Sequence, residues 1–300
     1  MAILVDKNTK VLIQGPGKEG QRACQEMIEY GTKVVAGVSP GKGGTLVCGN
    51  IPVYNTVKEA VDIHSGINAS LITVPAAWTL DAALEGIEAG IPLIIILTEH
   101  VPVKDSAQIY AAAKRKGVRV IGPSSVGVIS PGKGKVGSIG SSDIGSVFNP
   151  GHIGVISKSG GMTAEISGIL SRAGIGQSTV VGIGGDQIIG SDFADLLELF
   201  EEDEETQGTV LFGEIGGTYE ERAADMIQKG KIQKPVVAIV AGEFTESLAR
   251  GTVLGHAGAI VGQGQGSYAS KIGALKNAGV PIARTLEEIP LLLKDKLENI

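Results

Sequence analysis

Cysteine is nearly absent from this 300-residue chain: Cys24 and Cys48 are the only two, at a spacing that no metal site uses. That excludes a disulfide-stapled scaffold and a zinc-binding module, and it points to a reducing, cytoplasmic compartment. Aromatic residues make up only 4% of the chain, so its cores have to be built from Val, Ile, Leu and Ala. No apolar run reaches the roughly 18 residues that cross a bilayer. The longest, around Ile91 to Leu97, reads as a buried strand. Met1 to Asp6 is too short and too soon charged for a secretory leader. There is no basic run and the net charge is −6, which argues against nucleic acid as a partner. A Walker A motif and a G-x-S-x-G elbow are also missing, so neither a self-contained nucleotide hydrolase nor a serine hydrolase fits.

Glycine is what the chain has in excess. Its 45 glycines, about twice the usual share, gather at the ends of apolar runs, where backbone turns sharply or approaches a ligand. The length suits two domains of ordinary size, each with its own core. In the first half, Lys10 to Gln14 is a strand pattern, Gly15-Pro16-Gly17-Lys18-Glu19-Gly20 follows, a helix runs from about Gly20 to Tyr30, and a strand spans Lys33 to Val38. This is a βαβ unit whose turn matches G-x-G-x-x-G, the arrangement that brings backbone and a helix N-terminus up to phosphate. A carboxylate that would hold an NAD ribose is not found after the second strand. Ser39-Pro40-Gly41-Lys42-Gly43-Gly44 stands there instead, and its lysine favours another phosphate, as in NADP or coenzyme A.

The alternation continues with strands at Ala69 to Val74, Pro92 to Leu97 and Val118 to Gly122, and helices at Thr79 to Glu88 and Lys104 to Lys116. It predicts a doubly wound parallel sheet with ligands at the carboxyl ends of its strands. Pro and Gly residues from Pro123 to Gly151 read as a linker or excursion, which places the domain division at 1–128 and 129–300. A second parallel sheet is expected from strands beginning at Gly154, Gln177, Thr209 and Val236. Ser159-Gly160-Gly161 then opens a helix, Gly184-Gly185-Asp186 and Gly213-Glu214-Ile215-Gly216-Gly217 follow strands, and Glu201 to Glu205 reads as a solvated turn. His256 lies in a glycine-rich run from Gly251 to Gly266, ahead of a helix near Ser267. As a nucleophile it would need an unhindered imidazole, a carboxylate such as Glu214 to orient it, and a helix N-terminus such as Ser159 to hold an anion. The bland reading is a polar turn residue.

Several stretches carry a resemblance: Gly-Val-Ser-Pro-Gly-Lys-Gly-Gly at 37–44, Pro-Val-Tyr-Asn-Thr-Val-Lys-Glu-Ala-Val at 52–61, Thr-Glu at 98–99, Gly-Ile-Gly-Gly-Asp at 182–186, Gly-Glu-Ile-Gly-Gly at 213–217 and Gly-His-Ala-Gly-Ala at 255–259. In these the whole chain resembles the α subunits of succinate–CoA ligase (succinyl-CoA synthetase). The resemblance implies a CoA-binding Rossmann-like domain followed by a flavodoxin-like ligase domain. It implies His256 as a phosphohistidine with Glu214 as its partner, and coenzyme A contacts at Gly17, Lys18, Glu19, Lys42, Leu97, Thr98 and Glu99. Ser159, Gly160 and Gly161 would hold phosphate or the substrate carboxylate. A β subunit of ATP-grasp fold, in a heterodimer or heterotetramer, would bind ATP or GTP and Mg²⁺.

Three departures bear on the substrate. The first glycine turn is one residue shorter than the family's Gly-x-Thr-Gly-x-x-Gly. Ser-Gly-Gly-Met-Thr-Ala-Glu at 159–165 replaces Ser-Gly-Thr-Leu-Thr-Tyr-Glu, so Ala164 stands for a substrate-side tyrosine. Gly-Pro-Ser-Ser-Val-Gly at 122–127 replaces Gly-Pro-Asn-Cys-Pro-Gly. Ser-Gly-Gly-Met and Gly-Glu-Ile-Gly-Gly-Thr are also similar to ATP-citrate lyase and citryl-CoA synthetase. The resemblance implies succinate as the acid, and these departures keep citrate or malate as the alternative. A non-catalytic CoA-binding regulator would not need His256 and Glu214 together, and an NADP oxidoreductase would not respond to CoA.

Overall fold

Strands covered by helices on both faces are mostly apolar and buried, and the central strands here are buried at almost every position. The computed structural model describes residues 2–140, 144–247, 258–259 and 266–298. The first sheet is built from β1 (Lys10–Gln14), α1 (Lys18–Glu29), β2 (Lys33–Val38), β3 (Leu46–Val47), β4 (Ile51–Tyr54), α2 (Val57–Ile63), β5 (Ala69–Ile72), α3 (Ala76–Glu88), β6 (Leu93–Ile96), α4 (Val103–Lys116) and β7 (Arg119–Ile121). Its order is β3-β4-β2-β1-β5-β6-β7, parallel except for the β3–β4 pair. Period-two alternation splits each strand between two cores. Val11, Ile13, Leu71 and Ile95 face one side with Ala23 and Met27 of α1, while Leu12, Ile72, Ile94 and Ile96 face the other, with Ala83 of α3 and Ile109 of α4.

The second half holds β8 (Gly127–Ser130), β9 (Gly134–Gly137), α5 (Ile144–Val147), β10 (Pro150–Ser157), α6 (Gly160–Arg172), β11 (Gln177–Gly182), α7 (Phe193–Glu202), β12 (Gly208–Glu214), α8 (Tyr219–Gln228), β13 (Val236–Ala241), a 3-10 turn (Glu243–Ser247), α9 (Tyr268–Asn277) and α10 (Glu288–Glu298). The sheet order is β13-β12-β10-β11-β8-β9. Four strands are parallel as expected, but β8 runs antiparallel to β11, and β9 antiparallel to β8. The stretch read as a linker or excursion thus holds, at 127–137, a hairpin that extends the second sheet. The strand at 127–130 lies wholly in that sheet, so a division at 128 cuts through it; the chain changes sheets between Ile121 and Gly127. The acidic run is a solvated turn only in part, at Glu204 and Glu205. Glu201 and Glu202 finish α7, Asp203 is buried and accepts the Thr206 hydroxyl at 2.7 Å, and Glu205 pairs with Lys133.

One core is common to both halves: Ile156, Val181, Leu211 and Phe193 of the second belong to the cluster that holds Val11, Ile13 and Met27 of the first. Polar contacts reinforce it. Lys135 of the edge strand β9 turns its backbone N–H and C=O out of its own sheet, and the Thr32 hydroxyl meets them at 3.0 and 2.8 Å. The Lys135 ammonium, fully buried, reaches Glu26 of α1 at 3.1 Å, and Gly132 N–H donates to the Tyr30 hydroxyl at 2.9 Å. Thr32→Val keeps the shape and removes both hydrogen bonds. The expected cost is about 1–3 kcal/mol, read as a lower midpoint in denaturant unfolding; an unchanged midpoint would show that the seam does not depend on this hydroxyl.

Candidate active site

In an open α/β sheet, ligands sit beyond the carboxyl ends of the strands, where strand order reverses. The first sheet reverses between β1 and β5. Gly15 after β1 has φ +84°, and a Cβ there would lie 2.6 Å from Val74 after β5. A Cβ on Gly20 would lie 2.6 Å from both the Gly15 carbonyl and the Thr73 hydroxyl. The outer glycines of the motif are therefore required by packing. Gly17 is the N-cap of α1, and no side chain caps the helix, so Lys18 and Glu19 open it with first-turn amides directed past the sheet edge. Lys42 is exposed in the loop after β2, which Asn55 shapes by accepting the amides of Gly41 at 2.9 Å and Gly43 at 3.1 Å. After β6, Leu97 is buried, the Thr98 hydroxyl donates to Val74 C=O at 2.7 Å, and Glu99 is exposed. The seven residues expected to contact coenzyme A thus lie at one sheet edge, Lys18 and Glu19 in the first turn of α1 and the others on the loops beside it.

The second sheet reverses between β10 and β12, which are neighbours. Ser159 is the N-cap of α6 as expected, but its hydroxyl does not cap the helix. The turn is fixed from below, where Ser157 Oγ accepts the Ser159 amide at 3.1 Å and donates to the Ser159 carbonyl at 2.7 Å. A Cβ on Gly160 would run into Val126, whereas Gly161 faces open space. Glu214 ends β12, side by side with the β10 strand that leads into Ser159, and is 9% exposed. Its amide donates to Glu220 at 3.1 Å. His256 lies outside the described residues. Gly258, two residues on, donates its amide to Gly185 C=O at 2.8 Å, in the loop after β11. Among the described residues no cluster of three or more His, Cys, Asp or Glu could hold a metal ion, and no helix is long and apolar enough to cross a membrane.

The two edges meet. Ser124 N–H donates to Thr98 C=O at 3.0 Å, and Ser124 Oγ donates to Asp186 at 2.8 Å. Thr98 of the first sheet is thereby connected, through Ser124, to the 184–186 loop that receives Gly258. Ser124 holds a left-handed backbone at φ +56° to make both bonds. Sequence reasoning named the loops but missed Asn55, Lys158, Glu220 and Lys271. For Lys158 a signal was available: a lysine immediately after a strand of small and apolar residues, directly before a helix cap.

Residues 6–100 match the family model for a CoA binding domain and residues 156–285 that for a CoA-ligase. The chain is 48% identical over 298 residues to succinate–CoA ligase [ADP-forming] subunit alpha 2 of Archaeoglobus fulgidus, covering 99% of this chain and 100% of that one. It is 46% identical to the corresponding alpha subunit of Aquifex aeolicus, covering 98% and 95%. Among solved structures it is similar to ATP citrate lyase of Methanothrix soehngenii in complex with citrate and coenzyme A, with a TM-score of 0.91 at 25% identity. The match covers 99% of this chain, which spans about half (51%) of that one.

The two glycines that open α6 predict opposite responses. Gly160→Ala forces Val126 aside at an expected cost of about 1–3 kcal/mol. Gly161→Ala meets nothing and gains about 0.5–1 kcal/mol of helix propensity. Thermal unfolding of the two variants checks the signs; the reverse order would mean that Val126 does not seat this turn.

Proposed function

The chain belongs to the family of succinate–CoA ligase α subunits, and from that premise we propose that it forms succinyl-CoA from succinate, coenzyme A and ATP or GTP, reversibly, releasing the nucleoside diphosphate and phosphate. The observation that carries this reading is the Thr98–Ser124–Asp186 connection, with Gly258 bonded to the adjacent Gly185. It supports the reading by linking the loop at Thr98, where coenzyme A is expected, to the loop that bonds Gly258, two residues beyond His256.

A ring nitrogen of His256 attacks the γ-phosphorus of the nucleotide, the bond from that phosphorus to the β-phosphate oxygen breaks, the nucleoside diphosphate leaves, and Glu214 fixes the tautomer and stabilises the cationic ring. A carboxylate oxygen of the acid then attacks phosphorus, the N–P bond breaks, and an acyl phosphate forms. The first-turn amides of α6 at Gly160 and Gly161 face the charge that builds on the phosphoryl oxygens. The sulfur of coenzyme A attacks the acyl carbon, the C–O bond breaks, and the thiol proton leaves with phosphate. Gly17, Lys18, Glu19, Lys42 and Leu97 to Glu99 would hold that ligand. A partner subunit of ATP-grasp fold would hold the nucleotide with Mg²⁺, in an αβ or α₂β₂ assembly. Gly161, which faces open space, and the small Ala164 favour a second reading, in which a bulkier acid such as citrate or malate takes the place of succinate.

With the partner subunit present, γ-labelled ATP should place acid-labile, base-stable phosphate on wild type and none on His256→Asn. Labelling of that variant, or no label on wild type, overturns the phosphohistidine. Acyl-CoA formation compared for succinate, malate and citrate settles the acid; product from citrate alone would replace succinate with the second reading.

A further inference from the structure

In the ligase half, the loops that follow β10 and β12 converge on one buried carboxylate. Glu220, in the first turn of α8, is 1% exposed. Its Oε1 accepts the Glu214 amide at 3.1 Å and pairs with the Lys158 ammonium at 3.2 Å, and its Oε2 pairs with Lys271. The two lysines reach onward to consecutive carbonyls of the Glu214 loop, Lys158 to Gly216 at 3.3 Å and Lys271 to Gly217 at 3.1 Å. Gly213 has no Cβ because the Glu220 side chain fills its place, 2.8 Å from where one would stand.

Lys158 immediately precedes Ser159, and Lys271 stands on α9, the helix that follows the histidine segment. Lys271 also pairs with Glu221 at 3.0 Å. The loop after β11 joins through Tyr219, whose ring lies 5.5 Å from the Lys158 ammonium and whose hydroxyl donates to Gln187 C=O at 2.9 Å. Burial, with Glu220 and Asp192 near by, raises the Tyr219 phenol above its usual pKa, so it remains a donor.

Buried ion clusters are poor sources of net stability, because desolvation offsets the attraction between the charges. What they do supply is placement, since each bond fixes an atom. Both ammonium groups are committed to protein carboxylates and carbonyls, so they do not serve as phosphate ligands. We propose that Glu220, with Lys158 and Lys271, is the positioning residue of the ligase site, holding Glu214 in register with Ser159 and with the helix behind the histidine segment. The proposal rests on the phosphohistidine reading; Glu220 itself touches no reacting atom.

Two measurements on the complex with its partner subunit test it, for wild type, Glu220→Gln, Lys271→Met and Lys271→Arg. The first labels the chain with γ-labelled ATP and follows discharge by succinate and coenzyme A, reading the labelled fraction and the rate separately. Glu220→Gln and Lys271→Met should label as fully as wild type and discharge about 100-fold more slowly. Lys271→Arg should recover most of the rate, and KM for coenzyme A should not change in any of them. A purely structural role would give fewer labelled chains that discharge at the wild-type rate, which overturns the proposal. The second measures amide hydrogen exchange over Glu214 to Thr218, expected to be at least about tenfold faster in both disruptive variants. Unchanged exchange overturns the proposal even where wild type takes no label, and missing label by itself overturns only the phosphohistidine.

Discussion

Lys135 lies on an edge strand with its backbone N–H and C=O aimed away from its own sheet, and a threonine of the other half satisfies both. An edge of this kind is a liability unless something covers it. Here the cover is the C-terminal end of α1 and the turn that follows it, and α1 is the helix whose N-terminus borders the first ligand edge. The same seam is closed nearer the site: Gly190 N–H donates to Gly122 C=O at 2.9 Å, and the Ser191 hydroxyl to Val120 C=O at 2.8 Å. Each sheet could twist independently only by breaking buried hydrogen bonds, so the two carboxyl edges stay in one relation.

The site itself is made largely of backbone. In the proposed reading, the groups that would face anions are the first-turn amides that follow Gly17 and Ser159, and several contacts between halves run through glycines and serines such as Gly122, Ser124, Gly190 and Ser191. This explains a chain so rich in glycine and poor in aromatics: close approach of main chain to main chain leaves no room for side chains, as at Gly15 against Val74 and Gly20 against Thr73. The charged residues act from underneath. Lys158, Glu220 and Lys271 are almost wholly buried, and they bond to the loop, to one another and to Glu221.

Much of this is legible in the sequence because parallel strands buried on both sides are short apolar runs ended by glycine. β1, β2 and β13 have the bounds that pattern predicts, and α8 starts at Tyr219 as expected. The hairpin of β8 and β9 was hidden because its strands are only four residues each and are broken by Pro131 and Gly132. The short β3–β4 pair and α2 were hidden behind the glycine loop for the same reason. Candidate ligand residues could be read from strand ends, where chemistry and topology coincide. Glu220, Lys271 and Asn55 could not, since their roles arise from contacts between segments far apart in sequence. Lys271 lies 51 residues from Glu220, inside a helix with no distinguishing pattern.

The clamp on α1 also has a consequence for how the protein is made. On a ribosome, residues as far as Ile121 complete the first sheet, yet Glu26, Met27 and Tyr30 still lack Lys135, Gly137 and Gly132, which have not emerged. Until that hairpin is delivered, one end of α1 and the core face beside it stay open to water and to other chains. Sheet count divides the molecule in two, but biosynthesis cannot finish the first half without the opening strands of the second.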